Sequence, residues 1–430
     1  MRRRSSLKPV GRHPSGKHPS GKRPLRGPKQ GPSTSPNRYQ APAMPPTLVA
    51  EVVSIGAHLM AKLLHKELHE TPWAIQQPCA LPLAAGQFFA ATPHPTAHRT
   101  LVAEHLIAPH RAATEAALAN HAVPRDFEPE ALQEAEELKA FKHTATHNAA
   151  REDWRSLPII TIDGEDAKDY DDAVWAEPWL EEGKAKGHHV RVAIADVAHY
   201  VKPNSALEAA AWQRGNSTYC PGHVVPMLPE RLSNNLCSLV PQADRPVLAA
   251  EMWLTEGGEM AHYRFCRATI FSAARCTYTQ VQQALEGMPH PFSIEVLQNI
   301  KNLNAAFEAL LQARTLRGAI SLEVPELVLN FNTQGEVVGA TPRPRLIAHM
   351  LIEELMIAAN VACAMALTKG CADTRPSKPK KHKGVGGIFR IHAPPSREKL
   401  ENLKQILAPM GFTAPAPTAR PAAWAALATR

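Results

Sequence analysis

The sequence predicts an α/β or α+β body, a smaller β segment ahead of it, and a basic tail. Three observations lead there. From Leu157 onward, apolar runs of strand length interleave with helical patterns. A carboxylate-rich stretch, 163–172, follows directly on one of those buried strands. The charge is also unevenly divided. Residues 1–46 hold eleven Lys/Arg and no acid, whereas 47–430 carry 37 basic against 40 acidic side chains, out of a formal net charge of +8. A uniformly basic nucleic-acid coat is thereby excluded. With 430 residues, 44% of them apolar, the chain can bury a core without disulfide or metal staples.

Taken in order, residues 1–46 contain ten of the 39 prolines and a repeated HPSGK at 13–17 and 18–22. So few apolar residues cannot offset the entropy of ordering, so a disordered basic tail is expected. Such a tail attracts polyanions, RNA or DNA, or simply solubilises the chain. Leu48–Lys62 reads as one apolar element, and 85–108 alternate loosely, as short strands do. Phe127–Phe141 reads as a helix, with Pro129 in its first turn and Leu132, Ala135 and Leu138 on one face. LPIITI (157–162) and VRVAIADVAHYV (190–201) read as strands, with two more at 246–254 and 262–271. Met227–Leu239 contains a short helix; Leu297–Leu311 and 346–367 are longer ones. Residues 368–387 hold six Lys/Arg, one acid and almost nothing apolar, which predicts an exposed basic loop. IFRIHAPP begins another strand, and Ser396–Leu407 is a helix capped by Ser396. Residues 413–430 are rich in Ala and Pro, and no further domain fits in them.

Seven scattered cysteines form no C-x-x-C pair and match no zinc spacing. They fit buried thiols in a reducing cytoplasm better than a secreted disulfide framework. Residues 1–46 lack an apolar segment of the signal-peptide kind. The one stretch apolar enough for a membrane, Leu346–Leu367, is interrupted by His349, Glu353, Glu354 and Asn360. It reads as a buried helix, with no membrane partner.

The most informative segment is ITIDGEDAKDYDDAV, 160–174. Residues 163–172 hold six carboxylates and one lysine. Converging carboxylates repel unless a cation neutralises them. An all-oxygen set selects Mg²⁺ or Mn²⁺ over zinc, and such ions serve phosphodiester hydrolysis. An EF-hand loop fails, because its sixth position from Asp163 would be Lys168 and its twelfth Val174. A merely solvated acidic turn is the bland alternative. Against it, the run docks on a buried strand, and apolar Ala173 and Val174 resume at once.

With these motifs in view, the sequence resembles the ribonuclease II/ribonuclease R (RNB) family of 3′→5′ exoribonucleases, on its ribonuclease R side. TIDGEDAKDYDDAV (161–174) resembles the family signature. VAIADVAHYV, GNSTYCP (215–221), MLPERLSNNLCSL (227–239), RGAISLEVPE (317–326), LIEELMIAANVACA (351–364) and FRIHAPPSREKLENL (389–403) follow in the family's order. The resemblance covers about 156–412. It implies the α+β class, with a mixed sheet and packed helices: an RNB catalytic domain over 151–412, interrupted by the basic loop 368–387, after a degenerate cold-shock or OB-like region at 47–150. It implies Asp163, Asp169, Asp171 and Asp172 as catalytic, Mg²⁺-binding aspartates, with Mn²⁺ as a possible substitute. Tyr219 and Tyr278 match aromatic contacts to RNA, and Glu353 matches a glutamate that holds the terminal nucleotide. On a helix, Glu353 and Asn360 share a face, so a polar stripe turned inward is expected. The activity implied is hydrolysis of single-stranded RNA to nucleoside 5′-monophosphates; the resemblance names no protein partner.

Two departures accompany the match. A family aromatic that clamps the terminal bases falls at Leu322. The family also continues into an arginine-bearing T-S-P-I-R-R-Y-like motif and an S1 RNA-binding domain, neither of which occurs in these 430 residues. The expectation is an incomplete member of impaired turnover. The alternative is a catalytically inactive RNA-binding protein.

Overall fold

The structure is a computed structural model. It describes residues 47–412 apart from 56–57, 66, 145–149, 320–324, 370–372, 376–392 and 394. The expected tail at 1–46, the strand at IFRIHAPP apart from Ala393 and Pro395, residue Leu322, the end at 413–430 and residues 370–372 and 376–387 of the basic loop lie outside the described residues.

Five strands close a barrel at the start: β1 (Leu48–Ile55), β2 (His58–Leu63), β3 (Trp73–Ile75), β4 (Phe88–Pro93) and β5 (Thr100–Ile107), in the order β1-β2-β3-β5-β4. Leu48–Lys62 is therefore an antiparallel hairpin rather than one element, with Val52 opposite Ala61. Leu48, Ala50, Val52, Ala61, Leu63, Phe89 and Leu101 fill the interior. Full closure leaves no sheet edge to pair with another chain. Two helices follow, α1 (Pro109–Asn120) and α2 (Pro129–Glu137). The α1 helix was not legible as periodicity; its Ala112, Ala116 and Ala119 pack on Val49 and Ala90 of the barrel wall.

The body is a seven-stranded mixed sheet. Its strands are β6 (Glu152–Asp153), β7 (Ile160–Asp163), β8 (Asp172–Glu181), β9 (Lys184–Ala195), β12 (Asp244–Thr255), β13 (Met260–Phe271) and β14 (Ala274–Thr277). They run in the order β14-β7-β8-β9-β12-β13-β6. The two edge pairs, β14 with β7 and β13 with β6, are parallel; the central pairs are antiparallel. Both faces are covered, which is why the central strands read as nearly continuous apolar runs. One face packs Val174, Ala176, Val192, Met252 and Leu254 against α4 (Tyr278–Leu285), α5 (Ile294–Leu316) and α6 (Ile347–Lys369). The opposite face packs Ala173, Trp175, Ala193, Val247 and Ala249 against α2, α3 (Ala206–Arg214) and a π-helical turn at Leu232–Leu236.

Two short hairpins, β10–β11 (Thr218–Cys220, His223–Val225) and β15–β16 (Leu327–Phe331, Val337–Pro342), and an outer helix α7 (Arg397–Leu407) complete the described residues. Ser396 caps α7 as expected, accepting from the Lys399 N–H at 3.3 Å.

Polar side chains fix how the helices sit on the sheet. Asn299 of α5 is buried; its Oδ1 accepts from the Ala176 N–H (2.9 Å), and its Nδ2 donates to the Pro158 carbonyl (2.9 Å). Gly258, in the β12–β13 turn, has φ +79°, and a Cβ there would meet the Ala309 carbonyl of α5. Only glycine allows that approach. The α6 helix is long and apolar enough to cross a membrane by composition, yet it packs Ala348, Leu351, Leu355, Ala358 and Ala362 into the core.

The VRVAIADVAHYV segment does not run as one strand to Val201. β9 ends at Ala195, and Val197–His199 form a single 3₁₀ turn. The break falls at Asp196, a buried carboxylate ion-paired with Arg151 at 2.5 Å. Tyr200 and Val201 still pack on the core, which explains their apolar character.

Candidate active site

The chain leaves β7 at Asp163 and re-enters the sheet as β8 at Asp172. The backbone between them is pinned repeatedly. The Ser238 hydroxyl accepts from the Tyr170 N–H (3.1 Å) and donates to the Lys168 carbonyl (2.8 Å). The Leu239 N–H donates to the Tyr170 carbonyl (2.8 Å), and the Ala195 N–H to that of Asp171 (2.9 Å). The Tyr170 ring is buried, and its hydroxyl donates to the Ala167 carbonyl (2.6 Å). A segment this acidic would otherwise move outward into water. These bonds hold Asp169 and Asp171 beside the strand ends that carry Asp163 and Asp172.

The electrostatics follow from that confinement. Burial first, and then the charges of Asp169 and Asp163, push the Asp171 carboxyl up to about 6. Burial, then Asp163 and Asp171, push Asp172 up to about 6 as well. Asp163 is raised by burial and by Asp169, against the Gly164 N–H that donates to its Oδ1 at 2.7 Å and the opposing charge of Arg275. Asp163, Asp171 and Asp172 are thus coupled, Asp169 acts on Asp163 and Asp171, and among the described residues no cation offsets Asp171 or Asp172. The Oδ2 atom of Asp172 is buried and accepts no hydrogen bond.

Two aromatic side chains join them. Tyr219 on β10 is 67% exposed, and its hydroxyl donates to Asp169 Oδ2 at 3.3 Å. It borders a cavity of about 420 Å³ lined by Asp169, Asp171, Val201, Met227 and Cys237. Tyr278 opens α4 behind a capping box made by Thr277 and Gln280. Burial, and then the charges of Asp163 and Asp172, push its phenol up to about 12. Its ring lies 4.1 Å from that of His349, whose Nδ1 accepts from the Leu346 N–H. A second cavity, about 500 Å³, lies between α5, α6 and the β12–β13 turn and shares no residue with the acidic segment.

Glu353 is placed differently from the expectation. It is exposed and ion-paired with Arg345 (3.0 Å) and Arg314 (3.5 Å); Asn360 is exposed too. No polar stripe turns inward at these positions. The buried carboxylate is the adjacent Glu354, on the face of Leu351, Leu355 and Ala358, where it pairs with Arg314. One residue is about 100° of helix phase, enough to move the stripe to the surface.

Residues 151–426 match the family model described as the RNB domain. The chain belongs to the RNB family. Among its curated relatives, the ribonuclease R of Vibrio cholerae is 38% identical over 302 residues, 70% of this chain and 34% of the relative. That of Escherichia coli is 37% identical over 308 residues, 70% of this chain and 35% of the relative. The chain therefore spans about a third of the length of the curated relatives it matches. Mycoplasma genitalium RNase R, solved in complex with ribose-methylated single-stranded RNA, superposes with a TM-score of 0.74 at 23% identity. That likeness covers 89% of this chain and 59% of the other, and at such identity it establishes the fold.

Within this RNB chain the donor set fits a hard divalent cation. All four candidate ligands are carboxylates, and one of their oxygens is buried without a partner. As the side chains stand, no three Asp, Glu, His or Cys among the described residues close into a ligand cluster. Three residues near the site carried no signal in the sequence: Arg275, His349 and Ser238. Each reaches the acidic segment, or a side chain coupled to it, from a distant part of the chain.

Proposed function

We propose that this RNB-family chain hydrolyses single-stranded RNA from its 3′ end, releasing nucleoside 5′-monophosphates, with Mg²⁺ as the working cation and Mn²⁺ as a substitute. One observation supports this reading above the others. Four coupled aspartates, with the Oδ2 of Asp172 buried and unpartnered, sit at the end of β7 and the start of β8. Divalent-metal dependence is general among RNB ribonucleases.

Asp163, Asp169, Asp171 and Asp172 are the residues that would hold the cation. Bound there, it supplies Lewis acidity and neutralises the carboxylates, so that an anionic phosphodiester can approach. Water oxygen forms the new bond to phosphorus, and the bond to the 3′ oxygen of the penultimate nucleotide breaks. The phosphate then stays on the released nucleotide. The exposed ring of Tyr219 offers a base a stacking surface, worth about 1–3 kcal/mol per base. Tyr278, held against His349, faces the charges of Asp163 and Asp172 and orients the terminal nucleotide. Glu353 engages the terminal ribose hydroxyls by exchanging its contacts with Arg345 and Arg314. The free thiols of Cys79, Cys220, Cys237, Cys266, Cys276 and Cys363 favour a reducing, cytoplasmic setting.

The test compares two 5′-labelled RNAs of one sequence, one ending in a 3′-hydroxyl and the other in a blocked 3′ end, with Mg²⁺ and with EDTA. Stepwise shortening of only the free-ended RNA, and only with Mg²⁺, is expected. Binding of both RNAs without shortening would leave the chain an RNA-binding protein. Internal cuts in both would overturn the exonuclease reading.

A further inference from the structure

The acidic segment is gripped from two sides. Ser238 holds one side through Lys168 and Tyr170. Arg275 of β14 holds the other. Because β14 runs parallel to β7, Arg275 stands opposite Thr161, and Thr277 stands opposite Asp163. The guanidinium Nη2 of Arg275 donates to the carbonyls of Glu165 (2.7 Å) and Ala167 (3.2 Å). Its plane lies over the Tyr170 ring, 4.9 Å from the centroid. The Tyr170 hydroxyl donates to the same Ala167 carbonyl. One side chain thus ties together both halves of the segment between Asp163 and Asp171.

We propose that Arg275 is a positioning residue for the metal site, holding the segment through Glu165, Ala167 and Tyr170 so that Asp169 and Asp171 stay beside Asp163 and Asp172 and a divalent cation can draw them together. The inference rests on the metal reading above. Repulsion among Asp163, Asp169 and Asp171 drives the segment apart, and a clamp on its backbone opposes that. A guanidinium suits the task because it can bridge two carbonyls and stack on an aromatic face at once; an ammonium cannot stack in that way. Arg275 touches no reacting atom; its charge also opposes that of Asp163, which by itself would weaken cation binding, so a loss of affinity on removing it reads the clamp rather than the charge.

The test uses the full chain, stripped with EDTA and titrated calorimetrically with Mn²⁺ alone, as unaltered protein, Arg275→Met and Arg275→Lys. Amide hydrogen exchange is followed in 164–171 and, as a control, in 190–195. Loss of this charge-assisted clamp should weaken Mn²⁺ binding by about tenfold in Arg275→Met. Exchange should quicken in 164–171 and stay unchanged in 190–195, and affinity for single-stranded RNA in EDTA should hold within about twofold. Arg275→Lys, which keeps the charge and one donor, should fall between. Unchanged Mn²⁺ affinity in Arg275→Met would overturn the proposal. So would a loss accompanied by faster exchange in both segments, which marks general destabilisation. Failure of the unaltered chain to bind Mn²⁺ would defeat the metal reading itself, and this proposal with it.

Discussion

Replacing Asp172 by Asn should stabilise the metal-free chain while destroying its use for metal. The Asp172 carboxyl is raised from the 3.8 of a free side chain to about 6, chiefly by burial. Its proton is therefore held more tightly in the folded state. That contribution is fully present below pH 4 and is lost as the pH rises through about 6. Above that, the folded state carries a buried charge with an unpartnered oxygen, which the unfolded chain solvates. At roughly 1.4 kcal/mol per pH unit, the strain approaches ~3 kcal/mol at pH 7.5. Asparagine is nearly isosteric and never ionises. Urea unfolding in EDTA should find Asp172→Asn more stable by about 2–3 kcal/mol at pH 7.5, and by less than about 1 kcal/mol at pH 4. Adding Mn²⁺ should stabilise the unaltered chain by mass action and leave the variant unmoved. An Asn variant no more stable than the unaltered chain at pH 7.5, or equally favoured at both pH values, would show that the Asp172 charge carries no such cost in the folded state.

Three further outcomes are expected. Asn299→Ala should cost about 2–3 kcal/mol in urea unfolding, because it strips the buried Ala176 N–H and the Pro158 carbonyl of partners. Tyr219→Ala should weaken RNA binding, read by fluorescence anisotropy, by the ~1–3 kcal/mol of a stacked base, whereas Tyr219→Phe keeps the ring and should stay within about twofold. Deleting 1–46 should flatten the dependence of log affinity on log salt by roughly 0.7 for each RNA phosphate that its Lys and Arg side chains neutralise; an unchanged slope would show that these basic residues touch no RNA.

The acidic site was legible because its chemistry is local. Asp163, Asp169, Asp171 and Asp172 fall within ten residues of one another and follow LPIITI, so strand, turn and carboxylates are read in a single window. The central strands were legible for a similar reason, since burial on both faces writes apolar runs such as those of β9 and β12. What escaped depends on partners far away in sequence. Arg275 meets Glu165 and Ala167 only because β14 pairs with β7, and Ser238 meets Tyr170 from a connection on the opposite face. The end of β9 escaped because Asp196 is buried by its pairing with Arg151, while Tyr200 keeps the apolar pattern going beyond the strand. The inward polar stripe expected at Glu353 and Asn360 failed because the helix phase is set by where Arg314 arrives, and it is Glu354 that turns inward to meet it.

The most direct measurement is the release of labelled mononucleotide from a 3′-end-labelled single-stranded RNA in Mg²⁺, by the unaltered chain and by Asp171→Asn side by side. A nucleoside 5′-monophosphate is expected as the first product of the unaltered chain, with no release in EDTA and none from Asp171→Asn. Release at equal rates by both proteins, or from neither while both bind the RNA, would contradict the claim that these aspartates form a hydrolytic centre.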